Sequence, residues 1–285
     1  MKFRIVCDSS CNVLTLDENY ASVPMKVSAD REYVDDAQLN LAEMVEGLRN
    51  HKGKSGSACP NVGEWLEAFG DAEYVCGITI TKHLSGSYNA AQQAAQIYME
   101  SNPGRVAFIF DSLSTGPEMM MMVEKIRRCE AEGDDFETMK QKVLEYHNHI
   151  HTLFCLDSMM NLARNGRVPM AMAKIAGMLG IRVVGDVEKG QITPVHKPRG
   201  AKKATQTLVE MIKERGFADG NILRVAHCFG EEAACALRDA VMAEFPNTKF
   251  ILESTGALCS FYAEAGGLII GFEGKLNEAN DNRVY

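Results

Sequence analysis

The chain has 285 residues and carries 30 basic against 38 acidic side chains, a net charge of −8; that length supports one large domain or two modest ones with a full core, and that charge argues against general nucleic-acid binding. No apolar run approaches the ~20 residues of a membrane span, and the opening MKFRIVCDSS is too short in apolar residues for a signal peptide, so it reads as the first strand of a cytoplasmic protein. The nine cysteines are odd in number, scattered and without a CxxC pair, which excludes a disulfide framework and a zinc ribbon.

In chain order, residues 3–7, 23–27, 74–80 and 106–110 are short, apolar and rich in branched side chains, and read as strands. Between them, 40–49, 62–69, 87–100 and 118–132 carry helical spacing. This alternation predicts βα units and a largely parallel sheet. A turn and an amphipathic helix from near Asp135 then lead to a new strand at 152–156, and the break near 133–150 divides the chain into α/β domains at 1–150 and 151–285. In the second, a methionine-rich helix (169–179) precedes a hairpin around Glu188–Gly190. Helices at 202–214 and 231–245 and strands at 222–226, 250–253 and 268–272 follow. The runs EMMMM (118–122) and PMAMAKIAGML (169–179) predict soft, adaptable faces. Such faces suit core packing or the lining of a pocket for a long apolar ligand.

Ligands of open α/β sheets sit at the loops after strand carboxyl ends. Three such loops are rich in hydroxyls: CDSSCN (7–12), LSGSYN (84–89) and DSLSTGP (111–117). Small residues there expose backbone amides, and a helix start adds partial positive charge, a combination that suits a carboxylate or phosphate. Ser87 is equally suited to capping its own helix. In a fourth loop, KSGSACPNVGEW (54–65), Asn61 and Glu64 form a capping pair for the next helix, which leaves Ser57 free to point elsewhere. No phosphate loop, dinucleotide fingerprint or esterase elbow is present. HNHIH (147–151) lacks a carboxylate or cysteine to complete a metal set, and its first histidine suits a helix carboxyl end. Asp8, Asp111 and Asp157 lie near strand ends, where convergence on a magnesium ion would favour an enzyme. Basic residues gather in ARNGRVP (Arg164, Arg167) and HKPRGAKK (Lys197, Arg199, Lys202, Lys203), as solvated loop charge or as a surface for an anion or acidic partner.

Taken in order, these stretches resemble the DegV family of bacterial fatty-acid-binding proteins over residues 2–273. IVCDSSCNV resembles the family's opening strand, VPMKV with EYVDD its next segment, and GSACPNVGEW its Thr-Ser-Gln-Pro-Ser loop, with Ser57 at the threonine. HLSGSYNAA is similar to the diagnostic Leu-Ser-Gly-Thr-Tyr, with Ser85 at the key serine; DSLSTG, NGRV, PRGAKKA and VAH complete the series. The resemblance implies two α/β domains with a ligand cleft between them, a long-chain fatty acid in an apolar tunnel, and its carboxylate held at Ser57, Ser85, Gly86 and Tyr262. It also implies a separate fatty-acid kinase as partner, met by Arg167, Arg199, Lys202 and Lys203, with no cofactor and no catalytic residue in this chain. Tyr262 stands where the family usually has a histidine, Ala263, Glu264 and Ala265 replace the Thr-Gly-Pro after it, and Ala201 replaces a second arginine of the basic loop. A phenol still donates a hydrogen bond to a carboxylate but lacks the histidine's positive charge. The alternative reading is an enzyme that uses the cleft for phosphoryl or acyl transfer on a small acid.

Overall fold

The structure, a computed structural model, describes residues 3–176 and 178–277. Residue 177 of the expected methionine-rich helix and residues 278–285 of the expected second domain lie outside it. The first half runs β1 (Arg4–Asp8), a 3-10 turn (Ser9–Cys11), β2 (Tyr20–Val23), β3 (Lys26–Ser28), β4 (Glu32–Val34), α1 (Leu41–Asn50) and β5 (Gly56–Ala58). It continues with α2 (Val62–Phe69), β6 (Tyr74–Thr79), α3 (Ser87–Ser101), β7 (Val106–Asp111), α4 (Pro117–Glu132) and α5 (Phe136–His147). Then come β8 (Ile150–Leu156), α6 (Met160–Arg164), α7 (Met170–Ala176), β9 (Val183–Glu188), β10 (Gln191–His196) and α8 (Ala201–Glu214). The chain closes with β11 (Ile222–His227), α9 (Glu231–Glu244), β12 (Lys249–Ser254), α10 (Ala257–Ala263) and β13 (Leu268–Glu273).

The first sheet, ordered β2-β1-β6-β7, is parallel throughout. Its loops at Asp8, Thr79 and Asp111 therefore emerge on one edge, as the βα alternation predicts. The second sheet, β10-β9-β8-β13-β11-β12, is antiparallel except for the β11–β12 pair. A third, β4-β3-β5, is small and antiparallel. The strand expected at 23–27 divides at Pro24: Val23 ends β2 in the first sheet, and Lys26 starts β3 in the third. Proline brings no N–H to a ladder, so the chain changes sheet there.

Local chemistry explains most element ends. Asn61 and Glu64 form a reciprocal capping box at α2, and Asn40 and Asp135 cap α1 and α5. Pro117 occupies the first turn of α4, and Gly133 closes that helix in the left-handed region. Met119–Met122 are buried in the core under the first sheet, so that run is packing and not pocket wall. The expected helix at 169–179 is shorter, Met170–Ala176, and Met170, Met178 and Leu179 are exposed. The second core gathers Leu153, Val184, Leu208, Leu223 and Ile270 between the six-stranded sheet and helices α8 and α9. Helix α4 ties the halves together: buried Arg224 of β11 pairs with Glu124 of α4 and Glu253 of β12. Strand β13 passes so close to α4 that a Cβ on Gly271 would lie 2.9 Å from Pro117 Cβ and 3.1 Å from the Glu118 amide nitrogen.

Candidate functional site

A cavity of about 330 Å³ opens between the loops of the first sheet and the inner face of β8, β9 and β10. Alternate residues of β8 face it, Thr152, Phe154 and Leu156, as strand pleating requires. Val187 and Ile192, from either arm of the β9–β10 hairpin, cover it. Ile80, Leu84 and Met25 line the opposite side. The hairpin turns through Lys189 and Gly190, both at positive φ. A Cβ on Gly190 would fall 2.2 Å from Thr81 Oγ1, so glycine lets the tip close onto the first sheet's loops.

One end of this cavity is polar. Ser57, on β5, pairs in register with Val27 of β3. Its Oγ lies 2.8 Å from the Tyr262 phenol oxygen on α10. The Arg167 guanidinium stands over the Tyr262 ring at 5.8 Å and donates through Nε to the Leu84 carbonyl at 3.2 Å. Ser85 accepts the Ser87 amide hydrogen at 3.2 Å, which leaves its own proton to donate. Gly86 precedes the first turn of the fifteen-residue α3, whose amino end favours an anion. A Cβ on Gly86 would meet Cys59 Sγ at 3.2 Å. Ser57, Ser85, Gly86, Tyr262 and Arg167 all line the cavity. Arg199, Lys202 and Lys203 do not; they are exposed at the start of α8. Cys259, also in the wall, has its thiol pushed up to about 12 by burial and stays neutral.

A buried carboxylate network holds the polar end in place. Asp8, at the end of β1, accepts from the Ser87 hydroxyl at 2.7 Å, from the Ile80 amide at 2.9 Å and from Ser10. Ser87 therefore faces inward, away from the cavity. Burial pushes the Asp8 carboxyl up to about 6, with the Ser10 and Ser87 hydroxyls and the Ile80 amide opposing. Asp35 caps α10, accepting from the Ala257 and Leu258 amides at 2.6 and 3.2 Å and from the Ser9 hydroxyl at 2.8 Å. Burial raises its carboxyl as well. Asn12 accepts from the Gly256 amide at 2.8 Å, and Asn161 Nδ2 donates to the Phe261 carbonyl at 2.8 Å. The stretch between β12 and β13 thus contains the helix α10 that presents Tyr262. Sequence reasoning missed Asp35, Asn12 and Asn161 as positioning residues; the only signal was the acidic pair Asp35–Asp36 beside a short strand.

Asp8, Asp111 and Asp157 are engaged separately: Asp111 accepts from the Lys82 and Leu113 amides, and Asp157 pairs with Arg182 at 2.9 Å. Among the described residues no three His, Cys, Asp or Glu side chains are grouped to hold a metal ion. His147 and His151 have separate partners, with His147 beside Glu118 and Ser112 and His151 bonded to the Lys275 carbonyl. No helix among the described residues is long and apolar enough to cross a membrane.

Residues 2–275 match the family described as "Uncharacterised protein, DegV family". A DegV domain-containing protein of Streptococcus gordonii is 35% identical over 280 residues, covering 96% of this chain and 99% of that one. A DegV family protein of Eubacterium eligens, solved loaded with heptadecanoic acid, is 36% identical and superposes with a TM-score of 0.93, covering 96% of this chain and 100% of that one. The Streptococcus pneumoniae Fatty Acid Kinase (Fak) B3 protein, solved loaded with linoleic acid, is 35% identical with a TM-score of 0.93 and the same coverage. With a family match over almost its whole length and relatives above 30% identity, the chain belongs to the DegV family.

Proposed function

We propose that this protein is a non-catalytic carrier that binds one long-chain fatty acid in the cavity between its two halves, 1–150 and 151–285, and presents it to a separate fatty-acid kinase for acyl-phosphate formation. The observation that carries this reading is the cavity itself: about 330 Å³, walled by Ile80, Phe154, Leu156, Val187 and Ile192, with Ser57, Ser85, Tyr262 and the Arg167 guanidinium gathered at one end. Each methylene removed from water contributes about 0.8 kcal/mol, so the chain supplies the affinity. The head-group residues then fix orientation. In this reading Ser85 and the Ser57–Tyr262 pair, through the one proton that their mutual bond leaves free, donate to the carboxylate beside the Gly86 turn, and Arg167 supplies a charge-assisted contact.

Two 35–36% identical neighbours were solved with C17- and C18-type acids, heptadecanoic and linoleic, and one is named as part of a fatty acid kinase. Both points support the ligand and the partner proposed here. The exposed Arg199, Lys202 and Lys203 form the proposed contact for the kinase or the acyl phosphate. Nine free cysteines suit a cytoplasmic setting.

Native and denaturing mass spectrometry test the ligand. The expected result is a stoichiometric fatty acid in the native ion, released on denaturation, or uptake of added oleate after delipidation. Absence of both overturns the reading. Addition of a fatty-acid kinase and ATP to the loaded protein is expected to yield acyl phosphate; no product from loaded carrier overturns the presenting role.

A further inference from the structure

The cavity has a second polar end. Resting on the fatty-acid reading above, we propose that this end is a binding site for a hydroxyl group carried far along the acyl chain, so that hydroxylated long-chain fatty acids are a substrate class of this protein. A hydrogen-bond relay, Ser114–Thr152–Glu118, ends at the cavity wall with a hydroxyl oxygen able only to accept.

Ser114 and Thr152 both line the cavity, and both are buried. Their hydroxyl oxygens lie 2.6 Å apart, and Thr152 donates to Glu118 Oε2 at 2.6 Å. Glu118 sits in the first turn of α4, where the helix dipole favours a carboxylate, and its other oxygen lies 3.2 Å from His147 Nε2. A carboxylate only accepts, which sets the direction of the relay. Thr152 spends its proton on Glu118, so Ser114 donates to Thr152. The other acceptor for the Ser114 proton, the Thr115 carbonyl at 3.5 Å, is poorer. Ser114 then faces the cavity with lone pairs and no proton to give.

The position along the ligand follows from β8. Leu156 packs in the cluster that meets Tyr262 at the head-group end. Thr152 lies four residues back on the same face, ~13 Å away at ~3.3 Å per residue. An extended peptide covers three bonds in ~3.5 Å, so that span corresponds to roughly eleven bonds of acyl chain. An unpaired hydroxyl in an apolar tunnel is expelled; at this depth it meets an acceptor. A ketone at the same carbon brings a second acceptor against Ser114 and is disfavoured.

The test uses the full-length, delipidated protein and competition for a fluorescent fatty acid by octadecanoic, 12-hydroxyoctadecanoic and 12-oxooctadecanoic acids. The hydroxy acid is expected to bind within about threefold of octadecanoic acid and about tenfold tighter than the oxo acid. Ser114→Ala is expected to weaken the hydroxy acid about tenfold while leaving octadecanoic acid unchanged, which also reports that the variant is folded. Glu118→Gln keeps the shape but offers an amide donor to Thr152, which reverses the relay and lets Ser114 donate; the oxo acid is expected to recover. A hydroxy acid more than tenfold weaker than octadecanoic acid, or oxo binding indifferent to Glu118→Gln, overturns the proposal while the carrier reading stands. Failure of octadecanoic acid itself to bind overturns the carrier reading and this inference with it.

Discussion

Ser57 Oγ and the Tyr262 phenol oxygen meet at 2.8 Å across 205 positions of sequence, one on a three-residue strand of the small sheet and the other on α10. This contact joins the first half's loops to the second half at the point where the Arg167 guanidinium also arrives. The two oxygens share one hydrogen between them, so one proton of the pair is left to donate to a ligand.

Tyr262→Phe removes that oxygen and keeps the ring under Arg167. A neutral hydrogen bond contributes about 1 kcal/mol, so fatty-acid affinity is expected to fall about fivefold. Thermal stability should hardly change, because the ring packing against Phe261 remains. Tyr262→Ala also removes the cation–π partner of Arg167, and a larger loss is expected. Displacement titrations on both variants measure the difference; equal losses would show that the hydroxyl is the whole contribution.

Asp35 fixes α10 and so sets where Tyr262 points. Asp35→Ala leaves the Ala257 and Leu258 amides and the Ser9 hydroxyl without their buried acceptor. The expected loss is ~2–3 kcal/mol of stability, together with weaker ligand binding. Chemical denaturation checks the first and titration the second. A variant of native stability would mean that α10 is held by its other contacts, at Asn12 and Asn161.

The βα frame of the first half was legible because its signals are local. Apolar spacing, the Asn61–Glu64 pair and the glycine and proline punctuation each act within one turn. The hydroxyl loops were legible for the same reason, since they follow strand ends. What sequence could not show depends on distant partners. Helix α10 is only seven residues long and starts directly after Gly256, so its propensity is faint, and Asp35 caps it from more than two hundred residues away. Ser87 looks like its neighbour Ser85 in the chain, yet the first turns into Asp8 and the second lines the cavity. The Ser114–Thr152 contact spans two sheets, and no periodicity announces it.

Asp8 gives a pH signature. Its carboxyl is pushed up to about 6 by burial, against about 3.9 in an unfolded chain. Between those values the folded state holds the proton that the unfolded state has lost. Stability from this group therefore falls as pH rises from about 4 to about 6 and is level above that range. Asp8→Asn, with its amide turned toward Ser10, removes the titration. The difference in unfolding free energy between variant and native protein is expected to shift in favour of the native protein as pH drops from 7 to 5. A pH-independent difference, measured by denaturant titration, would assign the dependence to other buried acids.

Gly190 lets the β9–β10 hairpin lie down over the cavity. Gly190→Ala puts a Cβ 2.2 Å from Thr81 Oγ1 at a residue with φ of +78°. The tip must lift, and Val187 and Ile192 lift with it from the acyl chain. Positive φ costs alanine about 1 kcal/mol, and the larger effect is expected in kinetics. Stopped-flow exchange of a fluorescent fatty acid should be faster in the variant; an unchanged off-rate would mean that the ligand leaves by another route.

Lys202 and Lys203 occupy the first turn of α8, which has no acidic residue there to balance them. Cations at a helix amino end oppose the dipole, so folding alone gives no reason for this placement. Replacing Arg199, Lys202 and Lys203 together by alanine is expected to leave fatty-acid binding intact, because none of the three lines the cavity. Stability should rise by ~0.3–1 kcal/mol as the unfavourable charges leave α8. Acyl-phosphate formation with a fatty-acid kinase is expected to fall at least tenfold through weaker association, more steeply at low ionic strength, where the native pair gains most from its charges. A triple variant that still supports full acyl-phosphate formation would move the kinase contact away from α8 and toward the mouth of the cavity at Arg167.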